Sequence, residues 1–312
     1  MIGSFVGTFR VCLAAFLILA SGCDAASDLG EGEVDQAISG DFVDSSGAVT
    51  VRIKTCGWSA SVSHPTATCS VDSDFVLIGG GAEVEGEGWP GALLTASYPS
   101  ADLSTWIASS KDHWKGYAHR LRAYAVGLKL TGVSSVTLRN YMAFVSSQSG
   151  AAAHPSAVAE LPPGFKLVGG GARANYSGQG IMLVASYPDS FQWVAEAKDH
   201  RRADSGTVDA YAIGITAGSI PGFGSIDTSS ISASTWVSTG YGTADLSTPT
   251  GWVLASVGGA AQYDSWGRLL TDLIPFIDAP TNIKQGSKVR SKDHEVADSG
   301  FTTSYLISIR KQ

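Results

Sequence analysis

Charge is scarce in this chain. Only 16% of its 312 residues are Asp, Glu, Lys or Arg, well under the quarter usual in soluble domains. The formal net charge is −7 and no block of Lys or Arg occurs. That excludes nucleic acid as the main partner, because phosphate binding needs a basic footprint. A sustained helical period is missing too, so the body is not helical. Catalytic signatures are equally scarce: there is no nucleophile elbow, no cluster with metal-ligand spacing and no cofactor motif. The chain therefore reads as a non-enzyme without a cofactor or metal. What is plentiful is glycine, 37 residues, within a chain that is 44% hydrophobic. Glycine with Val, Ser, Thr and Tyr points to strands and turns.

The N-terminus is an address. Arg10 precedes the apolar run at residues 11–20, and Ser21 and Gly22 precede Cys23. A basic residue, a short apolar stretch and small residues form a secretory signal, too short to span a membrane. The run Leu19-Ala20-Ser21-Gly22-Cys23 resembles the lipobox of bacterial lipoproteins, with Ala20 where the pattern more often has Leu. The resemblance implies cleavage before Cys23 and lipidation of that cysteine. The protein would then be exported and anchored through membrane lipid, in the periplasm or at the cell surface. Asp24, by the enterobacterial pattern, would favour retention at the inner membrane.

Residues 23–45 hold the acids Asp24, Asp28, Glu31, Glu33, Asp35, Asp41 and Asp44 without apolar periodicity, and read as a flexible tether. Residues 1–22 are the signal and 46–312 the body. Cys12 leaves with the signal and Cys23 takes the lipid. Cys56 and Cys69 are then the two thiols of an exported body, and a disulfide between them is expected.

The strongest signal is internal repetition. Phe75-Val76-Leu77-Ile78-Gly79-Gly80-Gly81-Ala82 recurs as Phe165-Lys166-Leu167-Val168-Gly169-Gly170-Gly171-Ala172, with a worn copy from Trp252 to Ala260. Leu93-Leu94-Thr95-Ala96-Ser97-Tyr98-Pro99 is matched by Met182-Leu183-Val184-Ala185-Ser186-Tyr187-Pro188; the third copy keeps Leu269-Leu270-Thr271 and Pro275. Lys111-Asp112-His113 recurs at Lys198-Asp199-His200 and Lys292-Asp293-His294. Each aspartate lies 12 residues before a strand tyrosine, Tyr124, Tyr211 or Tyr305. Fixed spacing through separate elements marks three copies of one unit, at 46–130, 131–217 and 218–312. Each reads as about five strands, opening at 49–55, 136–145 and 231–238. The expected fold is all-β, either a pseudo-threefold prism-like or blade-like array or three tandem small β-sandwiches. Threefold β-lectins resemble it in symmetry, without their sugar-binding motifs.

Strand alternation puts Asp112, Asp199 and Asp293 on the apolar face, where they are expected to hold turn amides. It puts Lys111/His113, Lys198/His200 and Lys292/His294 on the opposite, outward face. These six are the ligand-binding candidates, because a cation–imidazole pair beside an aromatic ring suits hydroxyl-rich or anionic ligands. The alternative role is a folding lock. The glycine triplets lack a following Gly-Lys-Ser/Thr, so they mark a bulge or close backbone contact rather than a phosphate loop. His64-Pro65 and His154-Pro155 each lie 15 residues before a glycine triplet, with Thr243 at that offset in the third copy. Trp89, Trp114 and Trp266 fall in loops and could serve as sugar platforms. Repetition fits multivalent binding of glycan or cell-envelope polymer; a structural surface protein is the rival, and a hydrolase with an unrecognised site comes last.

Overall fold

The computed structural model describes residues 38–86, 91–262, 267–277 and 284–312. The signal, Cys23, Trp89 and Trp266 lie outside them. Strands dominate, as glycine-punctuated Val/Thr/Tyr runs require. Residues 46–130 form β2 (Val49–Thr55), β3 (Thr66–Ser70), β4 (Val76–Val84), β5 (Leu93–Pro99), β6 (Thr105–Lys111) and β7 (Leu121–Leu130), preceded by β1 (Ile38–Val43). Residues 131–217 form α1 (Ser135–Arg139), β8 (Met142–Gln148), β9 (Ser156–Glu160), β10 (Phe165–Asn175), β11 (Met182–Asp189), β12 (Gln192–Lys198) and β13 (Thr207–Thr216). Residues 218–312 form β14 (Ile226–Val237), β15 (Tyr241–Ser247), β16 (Val253–Ala261), β17 (Arg268–Ile277), β18 (Gln285–Asp293) and β19 (Gly300–Lys311).

Each segment thus holds six strands, one more than its sequence suggests. The extra ones include β3 and β9, which alternate exposed and buried residues but bury only Ala67 and Cys69, or Ala157 and Ala159. Small inward side chains leave almost no hydrophobic periodicity to read. Two other expectations change. Residues 38–43, read as tether, pair with β2 as an edge strand. Asp44 behind them is buried, accepting the backbone N–H of Val49 at 3.1 Å and of Lys311 at 2.9 Å. The opening of the second segment is a helical turn capped by Ser134 before β8 begins at Met142, since the Ser134 hydroxyl satisfies the N–H of Thr137.

Three sheets result. The first runs β1-β2-β7-β4-β17-β18-β15, the second β3-β6-β5-β10-β13-β8, and the third β14-β19-β16-β11-β12-β9. Each sheet joins three strands of one segment to three of another, so no sheet is built from one segment and the segments do not close separate sandwiches. Cys56 and Cys69 are disulfide-bonded; the bridge ties the end of β2, in the first sheet, to β3, in the second.

The glycine triplets lie where the sheets meet. A Cβ on Gly79 would strike the carbonyl of Ala255, and one on Gly169 the carbonyl of Ile78. Gly80 and Gly170 receive the rings of Trp106 and Trp193, whose indole N–H groups donate to Ser97 Oγ and Ser186 Oγ at 2.9 and 3.0 Å. A bulge precedes the glycines, between Leu77 and Gly79 and between Leu167 and Gly169, and recurs between Leu254 and Ser256. Gly81 pairs with Tyr124, Gly171 with Tyr211 and Gly258 with Tyr305. The register therefore sets Ser256-Val257-Gly258 against the triplets, and Gly259, not Ala260, against Ala82 and Ala172. Val257 stands in the place of Gly80 because the tryptophan is gone: Pro99 and Pro188 pair with Trp106 and Trp193, whereas Pro275 pairs with Ser287. Leu273 replaces the serine that would have bonded the indole.

Candidate functional site

The Lys-Asp-His triplets end strands β6, β12 and β18. Their six lysine and histidine side chains, expected at the surface, are all buried. Alternation correctly sets them apart from the aspartates, but at this end of the sheets the second face is covered too. Lys111 donates to the Gln179 carbonyl and sits 4.4 Å from the Tyr176 ring, both from the next segment. Lys292 donates to the Gly91 carbonyl. Burial pulls Lys111, Lys198 and Lys292 down to about 8, since desolvation penalises the ammonium.

The three histidines converge. Ring centroids are 5.7 Å apart for His113 and His200, 5.3 Å for His113 and His294, and 5.3 Å for His200 and His294. Their hydrogen bonds form a closed cycle through the three segments. His113 Nε2–H donates to the His200 carbonyl at 2.7 Å, His200 Nε2–H to the His294 carbonyl at 2.5 Å, and His294 Nε2–H to the His113 carbonyl at 3.1 Å. A donor at every Nε2 fixes the neutral tautomer on that nitrogen. Nδ1 of His113 is buried with no partner. Burial, reinforced by the two other imidazoles and Lys292, pushes His294 down to about 4. Burial also lowers His113.

The aspartates hold the adjoining turns. Asp112 accepts the N–H of Tyr117 at 2.9 Å and faces His64 Nε2 at 2.9 Å; Asp199 accepts the N–H of Asp204 at 3.2 Å and faces His154 Nε2 at 3.1 Å. In the third segment Asp293 accepts the Gly240 N–H at 2.6 Å and pairs with Arg268 at 2.8 Å. The sheet register puts Tyr241, not Thr243, where His64 stands, because Tyr241 pairs with Lys292. Arg268, which is wholly buried, supplies the cation there, and sequence reasoning missed it. The residue after each triplet is left-handed without being glycine: Trp114 (φ 68°), Arg201 (φ 57°) and Glu295 (φ 61°).

Three open concavities lie at the seams between segments. The seams pair at only one or two positions: Leu273 with Ala82, Ala172 and Arg173 with Ser97 and Ala96, and Ala185 and Ser186 with Ala260 and Gly259. Strands that splay from so short a contact leave a cleft. The second sheet's cavity, about 340 Å³, is lined by His64, Thr95, Ser109, Arg173, Asn175 and Tyr176 among others. The first sheet's, about 270 Å³, holds Glu83, Arg122, Tyr124, Phe276, Lys288 and Arg290. The third sheet's, about 320 Å³, holds Tyr187, Glu196, Gln262 and Tyr305. Tyrosine rings meet across the seam strand, Tyr98 on Tyr211 at 5.0 Å and Tyr187 on Tyr305 at 4.8 Å. Gly171 and Gly258 leave room for them. Desolvation raises Glu196. Asp272, at the first sheet's seam, is fully buried and pushed up to about 7 by desolvation; it accepts the N–H of Val84 at 2.9 Å and the Thr271 hydroxyl at 2.7 Å.

The tyrosines were legible as strand residues, but the seams were not, since no sequence pattern reveals which segments share a sheet. Among the described residues no group of three or more His, Cys, Asp or Glu is arranged to hold a metal ion. Compared with protein-family models and with curated proteins, the chain matches none.

Proposed function

We propose that the protein is an exported, lipid-anchored β-module that holds glycan or cell-envelope polymer through weak sites repeated at its three sheet seams. In this reading Cys23 carries the lipid, the segments are copies in a pseudo-threefold, prism-like array, and no catalytic step is involved. The observation that carries it is the cavity at each seam, 270–340 Å³ in size and lined by hydroxyls and charge, with tyrosine in every one. Such linings suit a sugar ring, whose C–H face rests on an aromatic and whose hydroxyls need donors and acceptors. Three modest sites on one rigid body bind a repeating polymer by avidity. The Lys-Asp-His triplets take the other role, a lock that joins the segments. Their complete burial also favours the second reading, a structural envelope protein with no ligand.

A glycan and lipopolysaccharide array probed with the full-length chain in detergent decides between them. Seam binding predicts signals that fall at least tenfold when Tyr176→Ala, Tyr187→Ala and Lys288→Ala are combined in a protein that keeps its β circular-dichroism spectrum. Binding indifferent to those changes sinks the seam proposal, and no binding at all leaves the scaffold.

A further inference from the structure

The histidine cycle ends in three exposed residues that defy backbone preference. Trp114, Arg201 and Glu295 each follow a ring histidine in the left-handed region, where a side chain costs about 1–2 kcal/mol and glycine costs nothing. A bulky residue there needs a reason. Trp114 and Arg201 meet: Arg202 stands 4.2 Å and Arg201 5.8 Å from the Trp114 ring, and the tryptophan remains 48% exposed.

The charges at this cluster are unusual for the molecule. The guanidiniums over the other stacked tryptophans are ion-paired, Arg122 over Trp58 with Glu83 and Arg310 over Trp252 with Asp227. Arg201 and Arg202 have no carboxylate within ion-pair distance among the described residues. The acids close by in sequence or contact are already engaged: Glu295 with Lys115 at 3.4 Å, and Asp204 with the N–H groups of Gly180 and Ser205. Two guanidiniums without a carboxylate partner among the described residues, beside an open indole on a chain of net charge −7, form a local cationic platform rather than part of a basic surface.

We propose that Trp114, Arg201 and Arg202 bind a sugar ring bearing an anionic group, a uronate carboxylate or a sugar phosphate. The indole takes the ring's C–H face and the planar guanidiniums take the anion through paired N–H donors. The site stands apart from the seam cavities and does not rest on them.

The test uses the full-length chain with tetragalacturonate, its methyl ester and glucosamine 1-phosphate, read by calorimetry and by the Trp114 indole N–H resonance, which is identified by its loss in Trp114→Gly. The acid or the phosphate shifts that resonance and the neutral ester does not, and raised salt weakens the effect. Arg202→Gln weakens affinity at least fivefold. Trp114→Gly weakens it at least tenfold with no loss of melting temperature, because glycine relieves the left-handed strain. A shift by uronate alone or by the phosphate alone names the source and supports the site. A resonance unmoved at millimolar probe, an equal response to the ester, or unchanged affinity in the folded variants overturns it. A seam failure reads out differently, as array binding indifferent to the seam tyrosines.

Discussion

The imidazole Nε2–H of His113 donates to the backbone carbonyl of His200 across 2.7 Å, although 87 residues separate them. His200 passes the same bond to His294, and His294 returns it to His113. One segment cannot leave the cycle without breaking two bonds, so the ring couples segments whose sheets meet at short seams. His294 is faced by the other two imidazoles, by Lys292 and by the His113 carbonyl, so a proton added to its ring would be buried among cations; at His113 the charge of Asp112 works against that of Lys111.

His294 therefore titrates from about 4 in the folded chain to 6.5 when unfolded. Between those values the unfolded state binds more protons, so the contribution of His294 is complete above pH 6.5 and lost as pH falls to 4. Replacing it by glutamine should destabilise the protein most near pH 7. That deficit should shrink by about 3 kcal/mol on going to pH 4. Urea denaturation of wild type and His294→Gln across this range measures it, and a constant difference contradicts the ring.

Asp272 has the opposite sign. Its folded value of about 7 lies above the unfolded 3.8, so its contribution is complete below pH 3.8 and lost as pH rises through 7. Asp272→Asn keeps an oxygen for the Val84 N–H and removes the charge. The variant should equal wild type near pH 4 and gain stability towards pH 8, with a ceiling of about 4 kcal/mol. Melting temperatures at the two pH values check it, and an Asn variant less stable at pH 8 excludes the account.

Arg268 holds Asp293, the Gly240 carbonyl and Ser291 Oγ from a fully buried position. Arg268→Met removes the cation and leaves these acceptors dry. The expected cost is about 3–5 kcal/mol, the size seen when one partner of a buried pair is deleted. His64→Ala and His154→Ala, on exposed histidines facing the equivalent aspartates, should cost under about 1 kcal/mol each. Chemical denaturation of the three variants compares them.

What sequence could read was whatever repeats as residue identity. Glycine triplets, Lys-Asp-His and the strand tyrosines pointed to strands, and the described residues are all-β apart from one helical turn. The direction in which a face looks was not legible, because cover comes from another segment: Lys111 alternates outward and then meets Tyr176 and Gln179. The N-terminal strand escaped notice because Asp41 and Asp44 look like tether acids, whereas Asp41 pairs with Arg52 and Asp44 caps a turn. The third copy was misplaced by one residue because matching glycine to glycine ignores what the glycine is for. Gly80 and Gly170 exist to admit an indole, and where Ser287 replaces the indole a valine fills the room.

That exchange predicts its own transplant. Gly170, Trp193 and Ser186 act as one packing unit, and Val257, Ser287 and Leu273 are its counterpart. Gly170→Val alone drives a side chain into the Trp193 ring, an overpacking that costs about 3 kcal/mol or more because backbone lies on the other side. Trp193→Ser alone opens a cavity and costs about 3–5 kcal/mol. The triple change Gly170→Val, Trp193→Ser, Ser186→Leu should cost less than the sum of its parts by at least 2 kcal/mol, since each replacement fills or vacates the same space. A mutant cycle by urea denaturation measures the coupling, and strict additivity contradicts the matched-volume account of the third segment.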